Sequence, residues 1–210
     1  ANQVILLDFE KKYWSNGISN VVGIDEVGRG PLCGPVVSAA VVFPAGLEIP
    51  EINDSKKLSP KKRAKLYDVI TKEATSIGLG VVHEDQIDQM NILNATILSM
   101  KKAVDALTVS ADVLLVDGNL KKISTINQES IIKGDSKSQS IAAASIIAKV
   151  TRDRMMEQYD KVFPGYGFSR NKGYGTREHF DALKDLSSTP IHRQSFKPVS
   201  SYMPTFKDIE

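Results

Sequence analysis

Short runs of apolar and β-branched residues alternate with longer amphipathic stretches along this chain. Five runs predict strands, at Val21 to Val27, Pro35 to Phe43, Leu79 to His83, Val113 to Val116 and Ser130 to Lys133. The first two runs flank a Gly/Pro break, which favours neighbouring antiparallel strands. Val113 to Val116 is short and apolar throughout, as is typical of a buried central strand.

Apolar residues spaced three and four positions apart predict helices between these strands. Ser59 and Pro60 supply an N-cap and a first-turn proline, so a helix is expected from there to Ser76. Further helices are expected over Ile92 to Leu107, from about Lys137 to Tyr159, and over Arg177 to Leu186. Strands gathered early, followed by strands that alternate with helices, predict an α/β fold with a mixed sheet.

The composition is that of an ordinary globular protein, with 41% hydrophobic and 25% charged residues among 210. This length suits one domain with a small C-terminal appendage. The start, Ala1 to Lys12, lacks the features of a signal peptide, and no apolar run approaches the ~20 residues that span a bilayer. The single cysteine, Cys33, cannot form an internal disulfide, which favours a reducing, cytoplasmic compartment.

The formal net charge of +2 is near neutral, but a local basic face is sufficient for binding nucleic acid. Basic residues do cluster over a short stretch, at Lys56, Lys57, Lys61, Lys62, Arg63 and Lys65. Such a run is usually a solvated helix face, and a phosphate-binding surface is the alternative.

Four carboxylates occupy unusual positions in this pattern. Asp25 and Glu26 are adjacent inside an apolar strand, Asp117 ends another apolar strand, and Asp135 stands just before the long Ala-rich helix. Each has an ordinary explanation when taken singly, as a turn residue or as an N-cap. Sites in open α/β sheets form at strand ends, so the four acids converge if these elements are neighbours.

Converging acids repel one another unless cations bind between them. Carboxylates without zinc-type Cys/His spacing indicate the hard ions Mg²⁺ or Mn²⁺, and two such ions ~4 Å apart clamp a phosphodiester for attack by water. The histidines His83, His179 and His192 have no helpful mutual spacing. His179 is expected on a helix surface, and a place lining the site beside Tyr174 is the alternative. Cys33 is expected to be a small packed residue.

The stretch from Gly23 to Val37, with the sequence GIDEVGRGPLCGPVV, strongly resembles the signature of the ribonuclease HII family, the type 2 ribonucleases H. Further matching blocks follow in family order at 54–59, 116–118, 133–135, 140–145, 148–153, 172–174 and 192–196. Together they cover most of residues 20–200, which is far more specific than a lone glycine motif.

The resemblance implies a ribonuclease H-like fold, in which helices flank a five-stranded mixed sheet. The catalytic domain would span 1–186, and a small helical or irregular segment, 187–210, would pack on it or trail it. The implied activity is endonucleolytic hydrolysis of RNA in RNA–DNA hybrids, and of ribonucleotides embedded in duplex DNA, by two-metal catalysis with Mg²⁺ or Mn²⁺. The products would carry 3′-hydroxyl and 5′-phosphate ends. We expect a monomer without a membrane partner.

The resemblance also assigns residues. The family's metal ligands map onto Asp25, Glu26, Asp117 and Asp135, and its glycine-arginine-glycine loop maps onto Gly28, Arg29 and Gly30. The two glycines let the backbone approach a ligand closely, so the loop can read a 2′-hydroxyl; a plain turn is the alternative.

The family's junction-sensing tyrosine maps onto Tyr174, whose ring can stack on a nucleotide; a partly buried core tyrosine is the alternative. With the family match, phosphate contact becomes the favoured role of Lys56 and Lys57. The chain departs from the family near Tyr174, where Asn171 replaces a frequent histidine and Gly175 replaces a frequent proline.

Two other functions compete with this interpretation. One is a non-catalytic module that binds nucleic acid, and the four intact acids argue against it. The other is a different metal-dependent nuclease or phosphotransferase on the same fold, such as one acting on DNA alone. The glycine loop and Tyr174 favour RNA discrimination instead.

Overall fold

The computed structural model describes residues 5–202, without the side chains of residues 53–56. Its centre is a five-stranded sheet in the order β3-β2-β1-β4-β5. The strands are β1 Val21–Val27, β2 Val36–Val42, β3 Ser76–Val82, β4 Val113–Asp117 and β5 Gln128–Ile131. β1 pairs antiparallel with β2 and parallel with β4, so the predicted mixed sheet is confirmed.

The helices of the described chain are α1 Asp8–Trp14, α2 Pro60–Glu73, α3 Glu84–Met90, α4 Ile92–Asp105, α5 Gln139–Val162, α6 Phe168–Asn171, α7 Arg177–Leu186 and α8 Lys197–Ser200. The four predicted helices are confirmed as α2, α4, α5 and α7. The expected end of α2 at Ser76 is wrong, because Ser76 begins β3 and pairs with Val42. The helices α1, α3, α6 and α8 were not predicted, since each has at most seven residues and carries little periodic signal.

Helices cover both faces of the sheet. Apolar residues of α2 and α5 pack on one face, and those of α4 pack on the other. The sequence permits the close approach of α5 at Gly23, where an added Cβ would lie 2.1 Å from the Ser140 carbonyl carbon. Because of this contact, the start of α5 lies directly on the strand that carries Asp25 and Glu26.

A third apolar cluster joins the connection between β1 and β2 to the C-terminal part of the chain. Its buried members include Leu32, Cys33, Phe168, Leu183 and Ile191. The domain boundary at residue 186 stays a prediction, although Ile191 belongs to this shared cluster. Within residues 5–202, no helix combines the length and apolar character needed to cross a bilayer.

Candidate active site

Three of the four singled-out carboxylates meet where β1 and β4 end. The parallel register sets Ile24 opposite Val116, so Asp25 and Asp117 follow on neighbouring strands at the same level. Carboxylate oxygens of Asp25, Glu26 and Asp117 all lie within 4.8 Å of one another. Oδ1 of Asp25 accepts a hydrogen bond from the N–H of Glu26 at 2.8 Å, so this carboxylate folds back toward its neighbour.

Burial and mutual repulsion both act on these acids. Burial, followed by the charges of Glu26 and Asp117, raises the pKa of Asp25 well above its ordinary value of 3.8. Burial also raises the pKa of Glu26, although a hydrogen bond with Asp25 and the charge of Arg29 oppose this shift.

The donor set fits a divalent cation. Oε2 of Glu26 is buried and has no hydrogen-bond partner among the described residues. A cation held by the clustered oxygens would relieve the repulsion and would satisfy this atom as well.

Asp135 stands beside the three acids, on the 3-10 turn Gly134–Ser136. Its N–H donates to Oδ1 of Asp117 at 3.3 Å, and its side chain is buried. Its own carboxylate is not part of the group of oxygens that lie within 4.8 Å. The structure therefore brings all four acids to one end of the sheet, with Asp135 at the margin of the cluster.

The residues Gly28, Arg29 and Gly30 form the turn that follows β1. Gly28 is buried with a φ of +97°, and a Cβ there would lie 2.5 Å from Nε of Arg152, so this position requires glycine. Arg29 and Gly30 are exposed. Nη1 of Arg29 lies 3.8 Å from Oε1 of Glu26, so the loop adjoins the acid cluster.

Arg193 holds this loop by hydrogen bonds from its buried side. This residue was not singled out from the sequence. The fully buried guanidinium of Arg193 donates to four main-chain carbonyls, at 2.5 to 3.0 Å, those of Gly28, Arg29, Pro31 and Gly34. The C=O and N–H of a trans peptide point in opposite directions. Since the Gly28 and Arg29 carbonyls turn inward to Arg193, the N–H groups of Arg29 and Gly30 point away from it.

A second buried arginine, Arg152 on α5, ties the glycine loop to the neighbouring loop that carries Tyr174. Its guanidinium donates to the carbonyls of Cys33 at 2.9 Å, Pro35 at 2.8 Å and Lys172 at 2.6 Å. Arg152 and Arg193 lie inside the blocks 148–153 and 192–196 that match the family, and this match was the one sign in the sequence that they matter. Their burial could not be inferred, because arginine is seldom fully buried.

Tyr174 lies beside the glycine loop. A Cβ added to Gly30 would be 3.6 Å from Cε1 of Tyr174, and the Tyr174 side chain is 39% exposed. The adjacent Gly173 carbonyl accepts a hydrogen bond from the Leu32 N–H at 2.9 Å, which joins the two loops. The ring is therefore accessible from solvent and is not a core side chain.

Asn171, one of the two departures from the family pattern, shapes the Tyr174 loop. Its side-chain amide donates to the Tyr166 carbonyl at 2.7 Å. Its Oδ1 accepts from the Gly173 N–H at 2.8 Å. The buried asparagine thus fixes the backbone just before Tyr174.

The structure locates only one of the two predicted phosphate-binding lysines. Lys57 is exposed at the end of the 3-10 segment Pro50–Lys57, which packs on α5 and on the Gly134–Ser136 turn. The segment that ends at Lys57 therefore packs against the turn that carries Asp135. The side chain of Lys56 lies outside the described residues.

The expectation for His179 is wrong. It is buried rather than on a helix surface, and its Nε2 lies 2.8 Å from Nε2 of His192. The interpretation of Cys33 is confirmed, since its side chain is fully buried in the third apolar cluster.

Comparisons with known proteins identify the family and the fold. A family model described as Ribonuclease HII matches residues 22–199. A Syntrophus aciditrophicus protein named Ribonuclease HII is 54% identical over 193 residues, which are 92% of this chain and 91% of that protein. The crystal structure of ribonuclease H2 from Pyrococcus horikoshii matches with a TM-score of 0.71 and 26% identity, over 87% of this chain and 96% of its own. Bst-RNase HIII in complex with Mn²⁺ shares the fold, with a TM-score of 0.64 and 20% identity over 90% of this chain and 71% of its own.

Proposed function

The chain belongs to the ribonuclease HII family, and on this premise we propose that its acid cluster is the active site of an endoribonuclease. The enzyme hydrolyses the RNA strand of RNA–DNA hybrids. The observation that carries the site assignment is the grouping of Asp25, Glu26 and Asp117 oxygens within 4.8 Å, next to an exposed glycine loop. Binding alone has no use for clustered negative charge that faces a phosphate, so this grouping supports hydrolysis.

Asp25, Glu26, Asp117 and Asp135 would hold the divalent ions. Four carboxylates supply the hard oxygen ligands that Mg²⁺ and Mn²⁺ prefer, and the Mn²⁺ complex of Bst-RNase HIII accords with that choice. When bound, such ions activate water and neutralise charge on the phosphate in the transition state. The side chains themselves fix where the ions sit, and Arg29 balances part of their charge through its contact with Glu26.

The glycine loop would distinguish RNA from DNA. The 2′-hydroxyl is both donor and acceptor, and only RNA carries it. Arg193 holds the carbonyls of Gly28 and Arg29 on the inner side, so the N–H groups of Arg29 and Gly30 face a substrate laid over the loop. Backbone groups that are fixed in advance lose little entropy when the substrate binds.

Tyr174 would recognise the sugar or base next to the cleaved bond. Its exposed ring adjoins Gly30, so one nucleotide can contact both the loop and the ring. Lys56 and Lys57 would bind phosphates beyond the acid cluster, because Lys57 is exposed and its segment, Pro50–Lys57, packs against the turn that carries Asp135.

The substrates would include single ribonucleotides embedded in duplex DNA as well as continuous hybrids. We expect a monomer without a membrane partner. A cytoplasmic location suits the single buried thiol of Cys33.

The test is a gel assay with and without Mg²⁺ or Mn²⁺. Its substrates are a matched RNA–DNA hybrid, an RNA duplex, a DNA duplex, and a DNA duplex that carries one ribonucleotide. Metal-dependent cleavage of the hybrid and of the single-ribonucleotide duplex is expected, and the other two duplexes should remain intact. Cleavage of the plain DNA duplex would indicate a different nuclease on this fold, and binding without cleavage would indicate a binding module.

Tyr174→Ala is expected to slow cleavage of the single-ribonucleotide duplex by roughly one to two orders of magnitude, since a stacked aromatic ring contributes about 1–3 kcal/mol. Tyr174→Phe keeps the ring and should have a milder effect. Metal affinity should change little in either variant. Single-turnover cleavage with metal titrations measures all three quantities. A wild-type rate for Tyr174→Ala on both this duplex and a uniform hybrid would mean that the ring does not contact substrate.

The products are expected to carry a 3′-hydroxyl and a 5′-phosphate. Water activated at the acid cluster attacks phosphorus, and the 3′-oxygen of the preceding nucleotide leaves. End-group analysis of the cleaved strand provides the measurement. A 2′,3′-cyclic phosphate would instead show that the 2′-hydroxyl was the nucleophile.

A further inference from the structure

Two buried histidines connect the Tyr174 loop to the chain that follows α7. His179 lies on α7 and His192 lies beyond it, and each side chain is at most 1% exposed. Their Nε2 atoms are 2.8 Å apart. Neither histidine belongs to the acid cluster, and the reaction at that cluster uses neither of them.

Main-chain groups at the two ends fix the protons along this pair. Nδ1 of His192 lies 2.9 Å from the N–H of Thr189, which can only donate, so this nitrogen is an acceptor. Nδ1 of His179 lies 2.9 Å from the carbonyl of Tyr174, which can only accept, so this nitrogen carries a proton. In neutral rings it follows that Nε2–H of His192 donates to the bare Nε2 of His179.

Burial keeps both rings neutral. It lowers the pKa of His179, and it lowers the pKa of His192 to about 3 with a further contribution from His179. A proton added to Nε2 of His179 would set two N–H groups against each other at the 2.8 Å contact, and a proton added to Nδ1 of His192 would face the N–H of Thr189 at 2.9 Å. The three hydrogen bonds therefore all run in one direction, and we name them the histidine relay. The Thr189 N–H donates to His192, His192 donates to His179, and His179 donates to the Tyr174 carbonyl.

The same proton order argues against a metal at this place. Sγ of Cys33 and ring nitrogens of His179 and His192 lie within 4.8 Å of one another, which is a distance that metal ligands adopt. Neither nitrogen of His192 offers a free lone pair, because Nδ1 accepts from the Thr189 N–H and Nε2 carries the proton that Nδ1 cannot hold. Burial also raises the pKa of the Cys33 thiol to about 12, so the thiolate ligand is disfavoured.

The relay ends on the residue that carries the substrate-facing ring. The Tyr174 carbonyl accepts from Nδ1 of His179 and from the Thr176 N–H, each at 2.9 Å. The Tyr174 N–H donates to the Asn171 carbonyl at 3.0 Å. The backbone of Tyr174 is thus held on both sides, and its ring stays beside Gly30.

We propose that His179 is a positioning residue for recognition of the RNA–DNA junction, acting through its Nδ1–H on the Tyr174 carbonyl, while His192 fixes its tautomer. This inference rests on the proposed role of Tyr174 in substrate recognition. His179 touches no substrate, so its influence on cleavage passes through the placement of the Tyr174 ring.

Two amide variants distinguish the hydrogen bond made by Nδ1 of His179 from the one made by its Nε2. In His179→Asn the amide nitrogen takes the place of Nδ1 and can still donate to the Tyr174 carbonyl. In His179→Gln the amide reaches the position of Nε2, so the contact with His192 is kept and the donor to Tyr174 is lost. His179→Gln is expected to slow single-turnover cleavage of the single-ribonucleotide duplex by roughly tenfold, and His179→Asn by roughly threefold or less. Thermal unfolding of both variants is the check that each is folded.

A double-mutant cycle with Tyr174→Ala shows whether His179 acts through the ring. Without the ring, His179→Gln should have almost no further effect on the rate. The same fold-loss with and without the ring would overturn the proposal, as would equal losses in the Asn and Gln variants. If Tyr174→Ala alone leaves the rate unchanged, both the role of Tyr174 and the positioning role of His179 fall.

The tautomers can be read in the wild-type protein without any activity assay. Long-range ¹H–¹⁵N NMR of the histidine rings should show the proton on Nδ1 of His179 and on Nε2 of His192. The opposite tautomers, or a charged ring at neutral pH, would overturn the relay. A protein with the expected tautomers that cleaves no hybrid would instead contradict the proposed function.

Discussion

Asp117→Asn is expected to remove nearly all metal-dependent cleavage, a loss of roughly 10³-fold or more, while the protein remains folded. Charge stabilisation by bound cations is worth several kcal/mol, and each ~1.4 kcal/mol corresponds to a factor of ten in rate. The amide keeps the shape of Asp117 but lacks the charge that holds a divalent ion beside Asp25. Asp25→Asn is expected to behave in the same way.

Without metal, Asp25→Asn should leave the fold intact or make it more stable. Burial and the neighbouring acids raise the pKa of Asp25 well above 3.8, so the folded state favours its protonated form. The resulting stability is fully present below the ordinary pKa and is lost as pH rises through the raised pKa of the folded state. The asparagine variant cannot ionise here, so it should lose less stability over the same rise in pH.

The measurements are single-turnover cleavage in a metal titration, and thermal unfolding in chelator over about pH 4 to 8. Asp105→Asn is the matched control, since Asp105 is exposed at the end of α4. This control should match the wild type in both assays. Turnover at the wild-type rate in Asp117→Asn or Asp25→Asn would remove these residues from the site.

The acid cluster could be anticipated because an acid inside an apolar strand is locally anomalous. Asp25 and Glu26 interrupt a run of apolar residues, and Asp117 ends another such run. What periodicity could not supply was the pairing of β1 with β4, which makes Asp25 and Asp117 neighbours. That pairing joins residues far apart in sequence, and only the family resemblance implied it.

The supporting polar residues were missed for a different reason. Sequence patterns assign charged and polar side chains to the surface, whereas the carbonyls that surround Arg193 lie 159 to 165 positions away along the chain. His179 was misplaced by the same reasoning, because its partner His192 lies outside the helix. Burial of such residues depends on tertiary hydrogen bonds, which leave no periodic trace.

Arg193→Lys is expected to lower both stability and activity, in contrast to the substitutions in the acid cluster. A lysine ammonium has three donors at one point, whereas the Arg193 guanidinium reaches four carbonyls on two sides. At least one buried carbonyl of the glycine loop therefore loses its partner. Each such loss costs about 1–3 kcal/mol, so the melting temperature should fall by roughly 2–12 °C.

The surroundings also oppose a charged lysine at this position. Burial and the charge of Arg152 lower the pKa of Arg193 to about 10, although arginine ordinarily titrates near 12.5. Lysine begins from a lower pKa of ~10.4, so the same surroundings would favour its neutral form much closer to neutral pH. A neutral amine is a weaker donor to the loop carbonyls, so the orientation of the Arg29 and Gly30 N–H groups would relax.

The experiment compares Arg193→Lys with Arg177→Lys, which makes the same change at an exposed position on α7. Arg177→Lys should match the wild type in thermal unfolding and in cleavage. Arg193→Lys should unfold at lower temperature and should cleave the hybrid more slowly even well below its melting point, because the amides that read the 2′-hydroxyl are no longer held in place. Its metal affinity should be close to that of the wild type, since the acid cluster is untouched. If the folded variant cleaves at the wild-type rate, the orientation of the loop does not depend on Arg193, and the guanidinium contributes stability alone.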